Sequence, residues 1–454
     1  MTVENKYKWG TLISCSVSCF IGFIDFAIVN TALPAIQESL SASFLQLQWI
    51  MNAFILAMSV LLASTGRIAD LFGRRLVNII GVAIFGAFSL LAGFTSSAAI
   101  LIFCRFMQGV GIASIIPSSL GLISHAFPGN EKGKAIGIWA SITGLGMALG
   151  PVVGGILVSA LSWRWVFYIN VPFAIASLLL NFLFVKESKD TTSEKKIDPK
   201  GFILLTIGIT SLVTALMHTP DWGWSSWKTL LLFAIAIFSL GLFYRAENKC
   251  SHPIIPFTAF ANRTFLACTV VVCCLILTIV SSFFFIPLYL QNIRHDAPYI
   301  SGLMMLPISG MITIFSPFVG QWSHKVSLKL LMLAGLFCFI VSTSMQAFFH
   351  EGTGPYFVLA SFVIMGIAWT LCRGPATSKA LSVLPPHLAG TAAGVLWTLQ
   401  NIAGAVGLAL TGTLFRTYYQ HTDVTFLIGY HLAMWLLAAI ALLSFLYIAI
   451  FAKD

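Results

Sequence analysis

The sequence predicts an all-α membrane protein with fourteen transmembrane helices and both termini in the cytoplasm. Three observations support this prediction: the composition, the number of apolar runs and the placement of the basic residues. Of the 454 residues, 58% are hydrophobic and only 9% are charged, whereas a soluble protein is about a quarter charged. This composition excludes a soluble enzyme, a disordered chain and a secreted domain. We also expect no nucleic-acid partner, because the Lys and Arg residues behind the net charge of +10 form no basic domain.

Fourteen apolar runs are long enough to cross a bilayer, which takes about 20 residues in a helix. Charged residues, Gly or Pro bound each run, and most of the loops between them are short. No segment is large enough to fold as a separate soluble domain. The predicted spans are 10–34, 46–66, 76–94, 98–123, 135–160, 165–185, 201–218, 229–246, 264–290, 299–321, 328–349, 356–376, 388–415 and 425–450.

The basic residues indicate which way the chain crosses the membrane. With cytoplasmic termini, twenty Lys and Arg residues fall on the cytoplasmic side and four on the outer side, while Arg105 lies inside a span. Arg373, at the end of the twelfth span, is counted with the cytoplasmic set. Cytoplasmic loops carry an excess of Lys and Arg. The bias therefore predicts a multi-pass protein of the cytoplasmic (inner) membrane with both termini inside.

An internal repeat divides the chain into two halves. The segment Gly133-Lys-Ala-Ile-Gly137 recurs as Gly390-Thr-Ala-Ala-Gly394 at an offset of 257 residues, so that span 5 matches span 13. Parallel halves of this kind are a transporter architecture, with the substrate site between the halves near the middle of the membrane. We predict an N-terminal six-helix half at 1–185, a cytoplasmic linker with two extra transmembrane helices at 186–263, and a C-terminal six-helix half at 264–454.

Two ionisable residues lie deep in the predicted spans: Asp25 in the first and Arg105 in the fourth. An ionisable residue inside the membrane is costly and marks a functional site by default. A carboxyl group that moves between a dry and a wet environment changes its proton affinity, so Asp25 can load a proton on one side and release it on the other. The alternatives are structural. Asp25 would only hydrogen-bond neighbouring helices, and Arg105 would tie span 4 to carbonyl groups of span 1 without exchanging a proton.

Span 5 carries a glycine face. Gly146, Gly150 and Gly154 are spaced four residues apart, which lets a neighbouring helix approach closely. Pro151 removes a backbone hydrogen bond and can bend the helix. The matching segment of span 13 lacks the proline, so this element is specific to the first half. Ordinary packing of small residues is the alternative interpretation.

The turn between spans 2 and 3 reads Gly66-Arg-Ile-Ala-Asp-Leu-Phe-Gly-Arg-Arg75. Its glycines permit a tight turn. Asp70 and the arginines can form a charge cluster that holds the cytoplasmic side shut in one state and releases it in another. A simple basic anchor would explain the arginines but not Asp70. The candidate gate residues are Gly66, Arg67, Asp70, Gly73, Arg74 and Arg75.

These motifs resemble those of the major facilitator superfamily, and specifically its fourteen-span drug:proton antiporter family. The turn between spans 2 and 3 is similar to a superfamily signature, as is Arg105-Phe-Met-Gln-Gly-Val-Gly111 in span 4. Gly146-Met-Ala-Leu-Gly-Pro-Val-Val-Gly-Gly155 resembles the antiporter signature, which importers generally lack. Asp25-Phe-Ala-Ile-Val-Asn-Thr-Ala-Leu-Pro34 resembles the span 1 signature of drug-efflux families, and Trp163-Arg-Trp-Val-Phe-Tyr-Ile-Asn-Val-Pro172 is typical of them.

The resemblance covers the whole chain and implies both a fold and an activity. The fold would be the major facilitator fold, and the activity would be proton-coupled efflux of small organic molecules by alternating access. Asp25 would be the proton-coupling carboxylate, assisted by Arg105. The charged turn between spans 2 and 3 would close the cytoplasmic gate near Gly390, at the start of span 13. Gly150 and Pro151 would shape a seal between span 5 and the second half.

The substrate class is narrowed by the second half, whose spans contain no acidic residue. A fixed dication would have only Asp25 as a partner, so we expect neutral, monocationic, zwitterionic or anionic organic substrates, with Arg105 as a candidate anion partner. The cysteines show no metal-ligand spacing, and we expect no metal, no cofactor and a monomer in the lipid bilayer. The candidate substrate-lining residues, for each of which core packing is the alternative, are Asn30, Asn52, Gln108, Trp369, Trp397, Gln400 and Asn401.

Three other functions remain open at this point. A dedicated exporter of one endogenous metabolite or siderophore is the alternative within the same family. A polytopic membrane enzyme is the alternative from another class, although the sequence contains no HExxH or GxSxG motif. A channel or an importer on the same fold is the third, and the Gly-Pro element of span 5 argues against import.

Overall fold

The computed structural model describes residues 3–129, 131–189, 198–250, 253–323, 325–383 and 389–452, without the side chains of 3–6 and 389–392. These residues form helices joined mostly by short turns. A 3-10 turn at Phe257–Ala261 precedes α10, and a π-helical turn at Tyr289–Ile293 extends it. The α-helices are α1 (Val3–Leu40), α2 (Phe44–Phe72), α3 (Arg74–Phe94), α4 (Ala98–Ala126), α5 (Glu131–Ala160), α6 (Trp165–Tyr168), α7 (Asn170–Phe184), α8 (Pro199–Trp222), α9 (Trp227–Glu247), α10 (Arg263–Leu288), α11 (Pro298–Trp322), α12 (Leu328–Gln346), α13 (Pro355–Ser382), α14 (Ala389–Tyr418) and α15 (Asp423–Phe451).

Within the described residues, fourteen helical segments are long and apolar enough to span a membrane, with α6 and α7 together forming one of them. The fourteen predicted spans and the all-α membrane class are therefore confirmed, while the orientation of the termini stays a prediction. Several helices continue past the predicted spans. α1 reaches Leu40 and α13 reaches Ser382, because helical hydrogen bonds continue through polar residues after the apolar run has ended.

The structure sharpens one placement made from the sequence. Arg373, counted with the cytoplasmic set at the end of the twelfth span, lies inside α13, nine residues before the last residue of that helix. Neither Gly374 nor Pro375 ends the helix, and α13 continues six residues past the predicted end of the span at residue 376. Arg373 therefore lies further from the end of its helix than the apolar run alone indicated.

The chain divides into two compact units. The N-terminal unit comprises Met1–Asp198 and Ala297–Leu303, and the C-terminal unit comprises Pro199–Asp296 and Met304–Asp454. The two additional helices, α8 and α9, belong to the C-terminal unit by this division. The short stretch at the start of α11 belongs with the N-terminal unit, because it packs against α5 there.

Hydrogen bonds fasten α8 to α14 within the C-terminal unit. The Thr413 hydroxyl donates to the carbonyl oxygen of Leu216 at 2.5 Å. The Arg416 guanidinium donates to the carbonyl of Met217 at 2.7 Å and pairs with Asp221 at 2.5 Å. The inserted helices are thus held by specific polar contacts as well as by apolar packing.

The interiors of the two units differ in kind. The largest fully buried side chain in the N-terminal unit is Arg105, a charged residue among polar partners. In the C-terminal unit the largest fully buried side chains are aromatic. Tyr289 stacks with Tyr430 at a centroid distance of 5.3 Å and lies 5.0 Å from the ring of Phe349.

Candidate functional site

Asp25 of α1 and Arg105 of α4 form an ion pair in the interior of the N-terminal unit. The Arg105 Nη1 group donates to Asp25 Oδ2, and neither side chain has any exposed surface. An isolated buried charge is strongly unfavourable, and each member of this pair compensates the other. The two ionisable residues singled out from the sequence therefore belong to one site.

The second oxygen of Asp25 accepts hydrogen bonds from two amides. Asn170 Nδ2 donates to Oδ1 at 2.7 Å, and Gln108 Nε2 donates at 3.4 Å. Every partner that the described residues offer Asp25 is a donor, which is the arrangement an ionised carboxylate requires. A proton on Asp25 would remove the charge that holds Arg105 and would place an O–H group among donors. Protonation therefore requires the cluster to rearrange.

Arg105 has further partners that do not depend on Asp25. Its Nε donates to the carbonyl oxygen of Ile50 at 3.2 Å, and Nη1 donates to Gln108 Oε1 at 2.9 Å. The guanidinium lies over the Phe54 ring, 4.4 Å from its centroid. The Nη2 group has no hydrogen-bond partner among the described residues, so Arg105 retains the capacity to bind one more acceptor.

Sequence reasoning missed two polar members of this cluster. Asn170, at the start of α7, binds Asp25 directly, and Ser89 of α3 accepts a hydrogen bond from Gln108 Nε2 at 2.7 Å. Both are fully buried. Each was visible as a polar residue inside an apolar span, but that signal is weak because such residues serve ordinary helix packing equally well.

The glycine face of α5 packs against α1. A Cβ atom at Gly146 would lie 2.9 Å from a backbone oxygen of α1, and Cβ atoms at Gly150 and Gly154 would overlap Ala27 and Thr31. Only glycine permits this approach. The predicted close contact is therefore made with α1, which is the helix that carries the buried carboxylate.

The other end of the antiporter-like motif faces the first turn of α11, within the N-terminal unit. A Cβ atom at Gly155 would overlap the backbone of Pro298, and one at Gly302 would overlap the carbonyl of Pro151. α5 therefore presents glycine residues to both α1 and α11. The role of Gly150 and Pro151 in a seal against the second half stays a prediction.

The loop between α2 and α3 is a tight turn with a charge cluster, as its residues suggested. Arg74 Nε and Nη2 each lie 2.8 Å from Asp70 Oδ1. Gly73 adopts φ +128°, a conformation that favours glycine. A Cβ atom at Gly66 would lie 3.2 Å from the Pro117 side chain. The turn and the ion pair are present, and gating by them stays a prediction.

This loop has an acidic partner that sequence reasoning missed. Glu187, just after α7, accepts hydrogen bonds from the backbone amides of Arg75 and Leu76 at 3.0 and 3.2 Å. It therefore caps the N-terminus of α3, where a negative charge is favourable. A Cβ atom at Gly73 would collide with this carboxylate. The Arg75 side chain donates to the carbonyl of Phe182 at 3.3 Å.

The structure adds little about Arg67 of the predicted gate and about Gly390, its predicted contact. Arg67 is half-buried on α2. Gly390, the predicted contact of the gate, lies at the start of α14 where only the backbone is described. The proposed contact of the gate with the start of span 13 stays a prediction.

The first-half candidates for the substrate lining are fully buried. Asn30, Asn52 and Gln108 have no exposed surface. Asn30 Nδ2 donates to the carbonyl of Phe26 within α1 at 2.8 Å. Gln108 belongs to the Asp25–Arg105 cluster, so its visible role is to position that pair.

The second-half candidates lie together around Arg373. The Arg373 guanidinium donates to Gln400 Oε1, and its carbon atom Cζ lies 5.5 Å from the centroid of the Trp397 ring. Trp369 lines the same cavity as Arg373. Asn401 donates to the carbonyl of Trp397 at 2.7 Å, a contact within its own helix. The sequence suggested these aromatic and amide residues but not the cation that they surround.

A two-unit chain with fourteen candidate spans and a buried carboxylate–arginine pair has the architecture of a secondary transporter. The sequence model of the Major Facilitator Superfamily matches residues 15–408. The chain belongs to the Major Facilitator Superfamily, as its motifs suggested, and is a multi-pass protein of the cytoplasmic membrane.

Three relatives illustrate the similarity. Multidrug resistance protein Stp of Mycobacterium tuberculosis (strain CDC 1551 / Oshkosh) is 33% identical over 92% of this chain and 78% of its own length. The tetracenomycin C resistance and export protein of Streptomyces glaucescens is 31% identical over 89% of this chain and 76% of its own. Riboflavin transporter RibZ of Clostridioides difficile (strain 630) is 27% identical over 99% and 98%.

Solved structures agree with the fold. A mutant of the nucleoside transporter NupG gives a TM-score of 0.71 at 13% identity, covering 98% of this chain and 100% of that chain. A POT family transporter in complex with a thioalcohol-conjugated peptide gives a TM-score of 0.73 at 14% identity, covering 97% and 96%. At these identities the match concerns the fold alone.

Proposed function

We propose that this protein exports small organic molecules across the cytoplasmic membrane in exchange for protons, by alternating access, with Asp25 as the coupling carboxylate. The observation that carries the proposal is the fully buried pair of Asp25 and Arg105. Efflux of small molecules is also supported by relatives named for multidrug resistance and for tetracenomycin C resistance and export. We further propose cytoplasmic termini, a monomer, and homologous halves at 1–185 and 264–454.

The proton acts through the electrostatics of this pair. While Asp25 is ionised, it compensates the charge of Arg105 in a region without water contact. When Asp25 takes up a proton, Arg105 becomes an uncompensated buried cation, which is strongly unfavourable. Arg105 then depends on the Ile50 carbonyl, on Gln108 and on whatever acceptor reaches its unpartnered Nη2 group. Protonation therefore shifts the balance between conformations that differ in access to this cluster.

The helix that carries Asp25 is coupled to α5. Because the glycine face of α5 leaves no room for a side chain against α1, a change in the position of α1 is passed to α5 rather than absorbed in a gap. On the cytoplasmic side, the Asp70–Arg74 pair and the Glu187 cap fix the turn between α2 and α3. We assign that turn the role of the gate.

The coupling is tested with Asp25→Asn, which keeps the shape of the side chain and removes its charge. The substrate is first identified by deleting the gene and comparing exported metabolites and sensitivity to toxic compounds. In inside-out vesicles loaded with that substrate, the variant is expected to exchange substrate for substrate but to ignore an imposed pH gradient. Asp296→Asn removes an acid from an ion pair at a helix end and should keep the gradient response. A gradient response in Asp25→Asn equal to that of the wild type contradicts the assignment.

Export of a single metabolite is a second candidate function. RibZ, named a riboflavin transporter, aligns along 98% of its own length, whereas the relative named for multidrug resistance aligns along 78%. The gene-deletion comparison separates the two functions. A dedicated exporter changes one exported compound and leaves the sensitivity panel unchanged, and a multidrug exporter changes sensitivity to several unrelated compounds.

A further inference from the structure

Arg373 is a cation placed well inside a membrane-spanning helix. It is the nineteenth of 28 residues in α13, a helix about 42 Å long at 1.5 Å per residue. Its backbone therefore lies only about 7 Å along the axis from the middle of the helix. An ionisable residue at such a position needs a function or a partner.

Arg373 has neutral partners only. Among the described residues, its guanidinium donates to Gln400 Oε1 and faces the Trp397 ring at 5.5 Å, and it forms no ion pair with a carboxylate. A glutamine oxygen and a ring face stabilise a cation, but neither neutralises its charge. The positive charge is thus uncompensated within the described part of the chain.

The acids of the C-terminal unit that have partners are engaged elsewhere. Asp221 pairs with Arg416, and Asp296 pairs with Arg294 at 3.0 Å. Glu247 accepts a hydrogen bond from the backbone amide of Ile255. None of these carboxylates is on α13 or α14, the helices that hold the Arg373 cluster.

A cavity gives this cation access to a ligand. It has a volume of about 330 Å³ and lies between α11 and α13, at the small end of the range for ligand pockets. Arg373 contributes to the wall, together with the Trp369 ring and the hydroxyl groups of Ser316 and Ser378. One cation, an aromatic face and several hydroxyls suit a small organic anion with an apolar body.

Arg105 is not suited to the same task. It is fully buried and its charge is already compensated by Asp25, so an anion bound there would add a second negative charge to a cluster that is closed to solvent. Arg373 is partly exposed and has no such competitor among the described residues. The anion partner suggested from the sequence is therefore better placed in α13 than in α4.

We propose that Arg373 binds the anionic group of the transported substrate, and that the substrates include small aromatic carboxylates, sulfonates or phosphates. This inference rests on the proposed export function and specifies its substrate class. The planar guanidinium matches a carboxylate or phosphate with two parallel hydrogen bonds, and the ring of Trp369, which lines the cavity, contacts the apolar body of the ligand.

The test is equilibrium binding of 1-naphthoate and of its uncharged analogue 1-naphthamide to the full-length protein in phosphatidylcholine nanodiscs. The wild type is expected to bind naphthoate about tenfold or more tightly than naphthamide, the typical worth of a charge-assisted hydrogen bond. Arg373→Gln should abolish this preference and leave naphthamide binding unchanged, which also shows that the variant is folded. Arg373→Lys should retain part of the preference, because it keeps the charge and loses the planar fork.

A matched control is Arg164→Gln. Arg164 also stacks on a tryptophan, with Cζ 4.4 Å from the Trp163 ring centroid, but it lies in the N-terminal unit. Its variant should bind naphthoate like the wild type. Equal binding of naphthoate and naphthamide by the wild type, or an unchanged preference in both Arg373 variants, overturns the proposal.

Two further measurements complete the test. One distinguishes a substrate anion from a lipid headgroup, and the other distinguishes this proposal from the proposed export function. If phosphatidylglycerol added to the nanodiscs displaces naphthoate from the wild type, the site belongs to a lipid headgroup and the substrate assignment is wrong. Binding is measured without a pH gradient, so Asp25→Asn should keep the naphthoate preference. Loss of proton coupling in that variant with an Arg373-dependent preference intact supports both proposals, and either can fail without the other.

Discussion

The two arginines inside the membrane helices lie in opposite electrostatic surroundings. Arg105 is sealed from solvent and compensated by Asp25, with amide groups completing the cluster. Arg373 borders a cavity and has only Gln400 and Trp397 as partners among the described residues. We propose two purposes for the same type of side chain. Where the protein supplies the counter-charge, the pair would respond to a proton, and where it does not, the charge would bind a ligand.

The largest expected effect comes from leaving a buried charge unpaired. Arg105→Gln leaves Asp25 without a counter-charge and should lower the free energy of unfolding by about 3–5 kcal/mol. Arg373→Gln leaves no carboxylate unpaired and should change the free energy of unfolding by less than about 1 kcal/mol. Thermal unfolding of the purified protein in detergent compares the two. Equal losses of stability in the two variants would contradict the distinction between a compensated and an uncompensated arginine. The double variant Asp25→Asn/Arg105→Gln should be more stable than Arg105→Gln alone.

The next effect concerns the helix that carries Asp25. Gly154→Ala places a methyl group on Thr31 and Ile28 and should push α5 away from α1, reducing proton-driven export by about tenfold, as expected for a small misplacement of reacting groups. Naphthoate binding at Arg373 should not change. Gly144→Ala is the matched control, because its Cβ atom would meet nothing within 4 Å. Export by Gly154→Ala at the Gly144→Ala level would mean that this contact is not coupled to transport.

The smallest effect is expected at the turn between α2 and α3. Glu187→Gln removes the charge that caps α3 and should destabilise the protein by about 0.5–2 kcal/mol, as for other lost helix caps. Glu131→Gln breaks an exposed pair with Lys8 at 3.4 Å and removes an acid from the first turn of α5, and it should cost about 0–1 kcal/mol. Thermal unfolding distinguishes them. If the two variants lose the same stability, Glu187 contributes no more than an exposed ion pair and does not fix the turn of the proposed gate.

Much of the fold was predictable because a membrane span is a property of a continuous stretch of sequence. Asp25 and Arg105 were also visible, since a charge inside an apolar run is conspicuous. The roles of Asn170, Ser89 and Glu187 as partners could not be predicted, because they depend on which helices touch, and residues far apart in the chain decide that. The match to the Major Facilitator Superfamily confirmed the family but did not test the roles of these residues.

Arg373 shows a different limit. It lies where the apolar run of span 12 ends, so hydropathy assigned it to the cytoplasmic edge, whereas the helix continues to Ser382. The end of the predicted span was placed from the hydropathy of the side chains, whereas the end of a helix is set by its backbone hydrogen bonds. The neighbouring candidates Trp397 and Gln400 were identified from their residue types, and only the helix contacts revealed the cation between them.

The polar fastening of α8 to α14 has a consequence for relatives of other lengths. Thr413 and Arg416 reach carbonyl groups of α8, so this face of α14 carries donors that meet acceptors on an inserted helix. Without α8, Thr413 would keep its bond to the Ala409 carbonyl of its own helix, whereas Arg416 would lose both Met217 and Asp221. Of the two positions, 416 is therefore the one at which we expect a relative with twelve spans to carry a different residue.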